Sequence, residues 1–149
     1  MNCLSFDVGG TTIKYGVINN SYKVIHKGKI PTPKDEEKFI GSLSEIIQKY
    51  INNISKVSVG MPGYVNVASN KYLYGPHLPF TIDFSKLSNF SDYKFYLDND
   101  GNVAAYCEYF LNYKNKYSNL SLITLKIQKL ILNKYDQYLK SKQCQTLIS

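Results

Sequence analysis

The chain has 149 residues, 44% hydrophobic and 19% charged, with a net charge of +7. That length suits one domain, and the apolar fraction is enough for a packed core, which excludes a disordered chain. Every basic residue is lysine, so the planar fork that reads guanine is absent, and Lys126, Lys129, Lys134, Lys140 and Lys142 crowd the last stretch against the single acid Asp136; the charge reads as a solvated surface rather than a nucleic-acid footprint.

In chain order, Cys3 to Asp7, Ile13 to Ile18 and Tyr22 to Lys27 have strand-like content, separated by the turn formers Gly9-Gly10 and Asn19-Asn20. Connections this short predict an antiparallel meander. After Pro31-Thr32-Pro33, Asp35 is placed to cap a helix in which Phe39, Leu43, Ile46, Ile47 and Tyr50 recur at helical spacing, ending near Asn52-Asn53. Lys56 to Val59 reads as a strand feeding the turn Gly60-Met61-Pro62-Gly63, and Lys94 to Leu97 as another before Asn99. The stretch between Tyr64 and Tyr93 has no clear period. Asn102 to Tyr113 has helical spacing, and Leu120 to Leu125 is a last strand-like run. A meander followed by alternating helices and strands predicts a mixed-sheet α/β fold.

Cys3, Cys107 and Cys144 are odd in number and in no metal-ligand pattern, so free thiols in a reducing cytoplasm are expected. No leader-like segment and no apolar run of membrane-spanning length is present, which points to a soluble cytoplasmic chain without a membrane partner.

Three loops carry candidate chemistry. In Asp7-Val8-Gly9-Gly10-Thr11-Thr12 an acid ends a strand and two glycines turn into the next. Backbone N–H groups in such a turn can approach phosphate oxygens, and the Asp can hold magnesium. An ordinary glycine hairpin has the same pattern. Leu97-Asp98-Asn99-Asp100-Gly101-Asn102 places acids and amides at a strand-to-helix junction, where a carboxylate can accept an alcohol's proton and an amide can fix that alcohol. Helix capping accounts for the same residues. Gly60-Met61-Pro62-Gly63 is a rigid turn that adds little by itself. Together the three follow strands of one sheet, and open α/β sheets bind ligands beyond their strand ends.

The order DVGGTTIKY (7–15), VSVGMPGYVN (57–66) and LDNDGNVAAYCEY (97–109) resembles the ROK family of sugar kinases and repressors, over roughly Leu4 to Leu125. The resemblance implies an actin-like (ribonuclease H-like) ATPase fold and glucokinase-like transfer of the terminal phosphate of ATP to a hexose or related sugar, with magnesium. It implies that Asp7, Gly9, Gly10, Thr11 and Thr12 serve the phosphates and metal, and that Asn99, Pro62 and Gly63 serve the sugar. Asp100 would be the general base. His77, in Pro76-His77-Leu78-Pro79, stands where the family usually has Asn before Leu, and falls among the sugar-binding positions.

The resemblance implies domains at 1–125 and an atypical tail at 126–149. Where the family continues into a second glycine-rich phosphate loop, this chain has Lys126-Ile127-Gln128-Lys129-Leu130 and no further glycine, and the family's zinc motif is also missing. A frameshift would produce such a tail. So would a selected short form, since Ile127, Leu130, Ile131, Tyr135, Tyr138 and Leu139 fall on one helical face. Little or no transfer activity is expected of the chain as it stands. A second reading is a catalytically silent module that binds sugar or pairs with another chain through an exposed sheet face. The repressor branch places a DNA-binding segment ahead of the glycine motif, where only six residues precede Asp7 here, so no nucleic-acid partner is expected.

Overall fold

Alternation of apolar and polar residues shapes the first strand, β1 (Asn2–Val8), which buries Leu4, Phe6 and Val8 and leaves Asp7 exposed. The computed structural model describes residues 2–88, 92–113, 121–123 and 146–148. β2 (Thr12–Ile18) and β3 (Val24–Pro31) follow as the expected antiparallel meander. The third strand begins and ends later than the sequence suggested. Tyr22 takes a left-handed turn conformation (φ 59°), and the Asn19 side chain accepts from the amides of Ser21 and Lys23 at 2.9 and 3.0 Å. Pairing then carries β3 as far as Pro31, opposite Thr12, because β2 itself runs to the end of the first glycine loop.

Helix α1 (Glu36–Tyr50) starts where expected: the Asp35 carboxylate accepts from the Lys38 amide at 2.8 Å, and that bond lowers its pKa. Its buried face presents Phe39, Ile40, Leu43, Ile46 and Ile47 to the core formed with β1, β2 and β4 (Ile54–Met61). Phe39 is fully buried, edge-on to Phe80 and Phe84 at centroid distances of 6.5 and 6.1 Å.

The stretch without a sequence period forms a small antiparallel sheet of β5 (Tyr64–Asn66), β6 (Lys71–Tyr74) and β7 (Ile82–Asp83), then the one-turn helix α2 (Ser85–Ser88). Its strands are too short to show alternation. Two buried tyrosines pin it: Tyr72 Oη donates to the Leu78 carbonyl at 3.2 Å and Tyr93 Oη to the Leu87 carbonyl at 2.5 Å. Burial raises both phenol pKa values, that of Tyr93 to about 12, so each keeps its donor proton.

β8 (Lys94–Asn99) completes a five-stranded sheet of order β3-β2-β1-β4-β8, in which β4 pairs parallel with both β1 and β8. The connections between these parallel strands contain α1 and the small sheet. The residues separate into two compact units, Met1–Asp100 and Gly101–Ser149. In the second unit, helix α3 (Asp100–Glu108, its first residue closing the first unit) widens into a π turn at Tyr109–Tyr113. It begins two residues earlier than the apolar spacing suggested, because Asp100 rather than Asn102 is its first residue. β9 (Ser121–Ile123), part of the expected last strand, pairs parallel with β10 (Thr146–Ile148). The helical face expected over 127–139 lies outside the described residues. Among the described residues, no helix is long and apolar enough to cross a membrane.

Phe39→Ala should destabilise the fold by about 3–5 kcal/mol, the usual cost of deleting a buried aromatic ring, read as a lower urea midpoint at unchanged slope. A second test uses Asp83, whose carboxylate accepts from the hydroxyl and amide of Ser85 and faces Lys71 at 3.3 Å, which together hold its pKa down to about 2. A pKa depressed by folding stabilises above the unfolded value of about 4 and is lost as pH falls towards the folded value. The stability difference between wild type and Asp83→Asn should therefore be constant above about pH 5 and shrink between about pH 4 and 2, measured as urea midpoints against pH.

Candidate functional site

Parallel pairing aligns the candidate loops. Asp7 on β1 lies opposite Gly60 on β4, and Gly60 lies opposite Asp98 on β8. Residues paired across neighbouring strands share a face, so Asp7 and Asp98 stand on the side away from the α1 core, about 10 Å apart along the backbone row with a glycine between them. Directly beyond this row come Gly9-Gly10-Thr11-Thr12, Pro62-Gly63 and Asn99-Asp100. On its other side, Asp7 pairs with Lys14 of β2, whose Nζ is 3.9 Å from the carboxylate.

The first loop is closed by Gly9 N–H donating to Thr12 C=O at 3.0 Å. It is held from behind by the segment after β3: Thr32 N–H donates to Thr11 C=O at 3.0 Å, the buried Thr32 hydroxyl to Gly9 C=O at 2.7 Å, and Lys34 Nζ to Gly10 C=O at 2.6 Å. Gly10 has no room for a side chain, because a Cβ there would lie 2.6 Å from the Cβ of His77. Sequence reasoning missed Thr32 and Lys34. They sit in a Pro-bounded break with no spacing signal, and only the pairing of Thr12 with Pro31 brings that break beside the loop.

The second loop turns at Gly63, whose φ of 113° is a conformation other residues rarely adopt; a Cβ there would lie 2.5 Å from the Tyr74 carbonyl oxygen. Its carbonyl accepts from Asn99 Nδ2 at 2.6 Å, which ties the second loop to the third. Asn99 N–H donates to Asp98 Oδ1 at 2.7 Å, and Asp100, exposed, is the first residue of α3.

Of the expected sugar-side residues, Pro62, Gly63 and Asn99 therefore stand together with Asp100 next in the chain, whereas His77 lies against the first loop. Among the described residues no group of three or more His, Cys, Asp or Glu could hold a metal. The single carboxylate Asp7 suits magnesium, which commonly reaches protein through one or two carboxylates while bridging phosphates.

A family model described as the ROK family matches residues 3–127. A glucokinase of Streptomyces coelicolor is 25% identical over 126 residues, covering 82% of this chain and 40% of that protein. An N-acetylmannosamine kinase of Haemophilus influenzae is 27% identical over 130 residues, covering 84% and 43%. The chain thus spans about two fifths of the length of these relatives. A solved ROK family glucokinase from Streptomyces griseus, in complex with glucose and AMPPNP, superimposes with a TM-score of 0.67 at 23% identity over 84% of this chain and 41% of that one. The shared fold is the actin-like ATPase α/β architecture.

Gly63→Ala should lower stability by at least about 1–3 kcal/mol, the cost of a strained backbone, because the backbone of Tyr74 cannot yield as a flexible side chain would. Thermal or urea unfolding reads it. Asn99→Ala, which removes the tie to the Gly63 carbonyl, should cost at least about 1 kcal/mol by the same measurement.

Proposed function

Because the chain belongs to the ROK family, we propose that its residues 1–125 supply the phosphate-loop and acceptor side of an ATP-dependent sugar kinase acting on a hexose or an N-acetylated relative. What carries this reading is the register that sets Asp7, Gly60 and Asp98 in one row, with the three family loops directly beyond it.

In this reading Gly9, Gly10, Thr11 and Thr12 receive the phosphates through backbone N–H groups, and the closure by Thr32 and Lys34 holds them ready before a ligand arrives. Asp7 would hold magnesium, which supplies positive charge against the phosphates when bound. Pro62 and Gly63 form the wall against which the sugar lies, and Asn99, fixed by its bond to Gly63, orients the acceptor hydroxyl. Asp100 takes that hydroxyl's proton as the oxygen attacks the terminal phosphorus and ADP departs with the electrons of the broken P–O bond. A base so placed contributes about 10² to 10⁴ in rate, and the larger remainder comes from positioning and charge stabilisation.

Transfer requires simultaneous grip of both substrates, and a misplacement of about 1 Å costs roughly 100-fold. The 149 residues hold only the first of the two phosphate loops that the resemblance implies, so this chain alone should bind an acceptor sugar yet turn over near background.

Calorimetric titration with glucose and N-acetylmannosamine tests the acceptor side. At least one should bind, and Asn99→Ala should weaken it about tenfold or more. A chain that binds neither sugar overturns the reading. In a coupled ADP-release assay, turnover well above background that Asp100→Asn abolishes would confirm the base while refuting the near-background expectation.

A further inference from the structure

The histidine that departs from the family pattern lies against the first loop. A Cβ on Gly10 would lie 2.6 Å from His77 Cβ, 2.8 Å from Cγ and 3.3 Å from Nδ1, so the imidazole covers the α-carbon of the first phosphate loop. The carbonyl of the same glycine receives Lys34 Nζ at 2.6 Å. Gly10 is thus flanked by a hydrogen-bonding ring and a cation.

His77 is also held in place. It lies in a tight turn closed by a bridge between Gly75 and Leu78, and the adjoining Leu78 is fully buried with its carbonyl accepting from the equally buried Tyr72. The imidazole itself stays exposed. The fixed turn therefore holds an exposed imidazole against the first loop, within reach of an oxyanion seated there.

We propose that His77 is a phosphate-side ligand, an imidazole N–H donor to a phosphoryl oxygen carried by the loop Gly9 to Thr12, rather than a contact to the acceptor sugar. This rests on the phosphate-loop reading given above. It assigns to His77 the recognition of an oxyanion that the backbone N–H groups of the loop begin, with the Lys34 ammonium at the Gly10 carbonyl adding positive charge nearby.

The sequence contains two histidines, His26 and His77, and His26 packs against Tyr50 at a centroid distance of 5.7 Å. Their imidazole proton resonances are therefore separable and assignable with His77→Ala. Titration with inorganic pyrophosphate should shift the His77 signals and leave those of His26 in place, whereas glucose should move neither. By calorimetry, His77→Ala should bind pyrophosphate about tenfold or more weakly, the scale of a lost hydrogen bond to a charged group, with an unchanged melting temperature. His77→Gln, which keeps an N–H donor, should recover part of that loss. Pyrophosphate binding that leaves His77 unshifted, or a response of His77 to glucose alone, overturns this assignment and leaves the loop reading standing. Failure of wild-type chain to bind pyrophosphate overturns both.

Discussion

Parallel pairing of β4 with β1 on one side and β8 on the other is the constraint on which the rest of the site depends. Parallel strands end at the same sheet edge, and here the register is tight enough to put Asp7, Gly60 and Asp98 in a single row. Three loops separated by up to about ninety residues of chain thereby open side by side. The pairing is itself enforced by burial: Leu4, Phe6, Val57, Val59, Met61 and Leu97 all face the α1 side, and a slip of one residue would turn them outward and bring polar groups into the core.

The loops are then coupled by short contacts between backbone and side chain. His77 lies on Gly10, the turn that carries it is bridged from Gly75 to Leu78, the neighbouring Tyr74 carbonyl abuts Gly63, and Gly63 receives Asn99. This path runs from the first loop through the second to the third. The one ion pair nearest the row, Lys14 with Asp7, is exposed on both sides at 72% and 67%, so it contributes little to the fold and leaves both charges available to a ligand.

Legibility in the sequence differed by residue for physical reasons. Asp35 and the apolar face of α1 were readable because capping and helical periodicity are local, and the first two strands because the turn formers Gly9-Gly10 and Asn19-Asn20 bound them. The third strand was misplaced at its start because Tyr22 gives no hint of its left-handed turn, which the Asn19 side chain imposes. The region from Tyr64 to Tyr93 was unreadable because strands of two to four residues cannot display a period, and because its order comes from two buried tyrosine hydroxyls. At the third junction, Asn99 looked like a helix cap as much as a ligand; its side chain spans to Gly63, a partner 36 residues away.

The family, the mixed α/β class and the three loops were legible in the residues alone, since these rest on short motifs whose residue types have few substitutes, such as glycine where backbone must approach closely. How the loops meet is set by the tertiary pairing. It brought Thr32 and Lys34 behind the first loop and set His77 against Gly10, because such contacts follow from strand register and turn closure between distant segments, which leave no trace in local spacing.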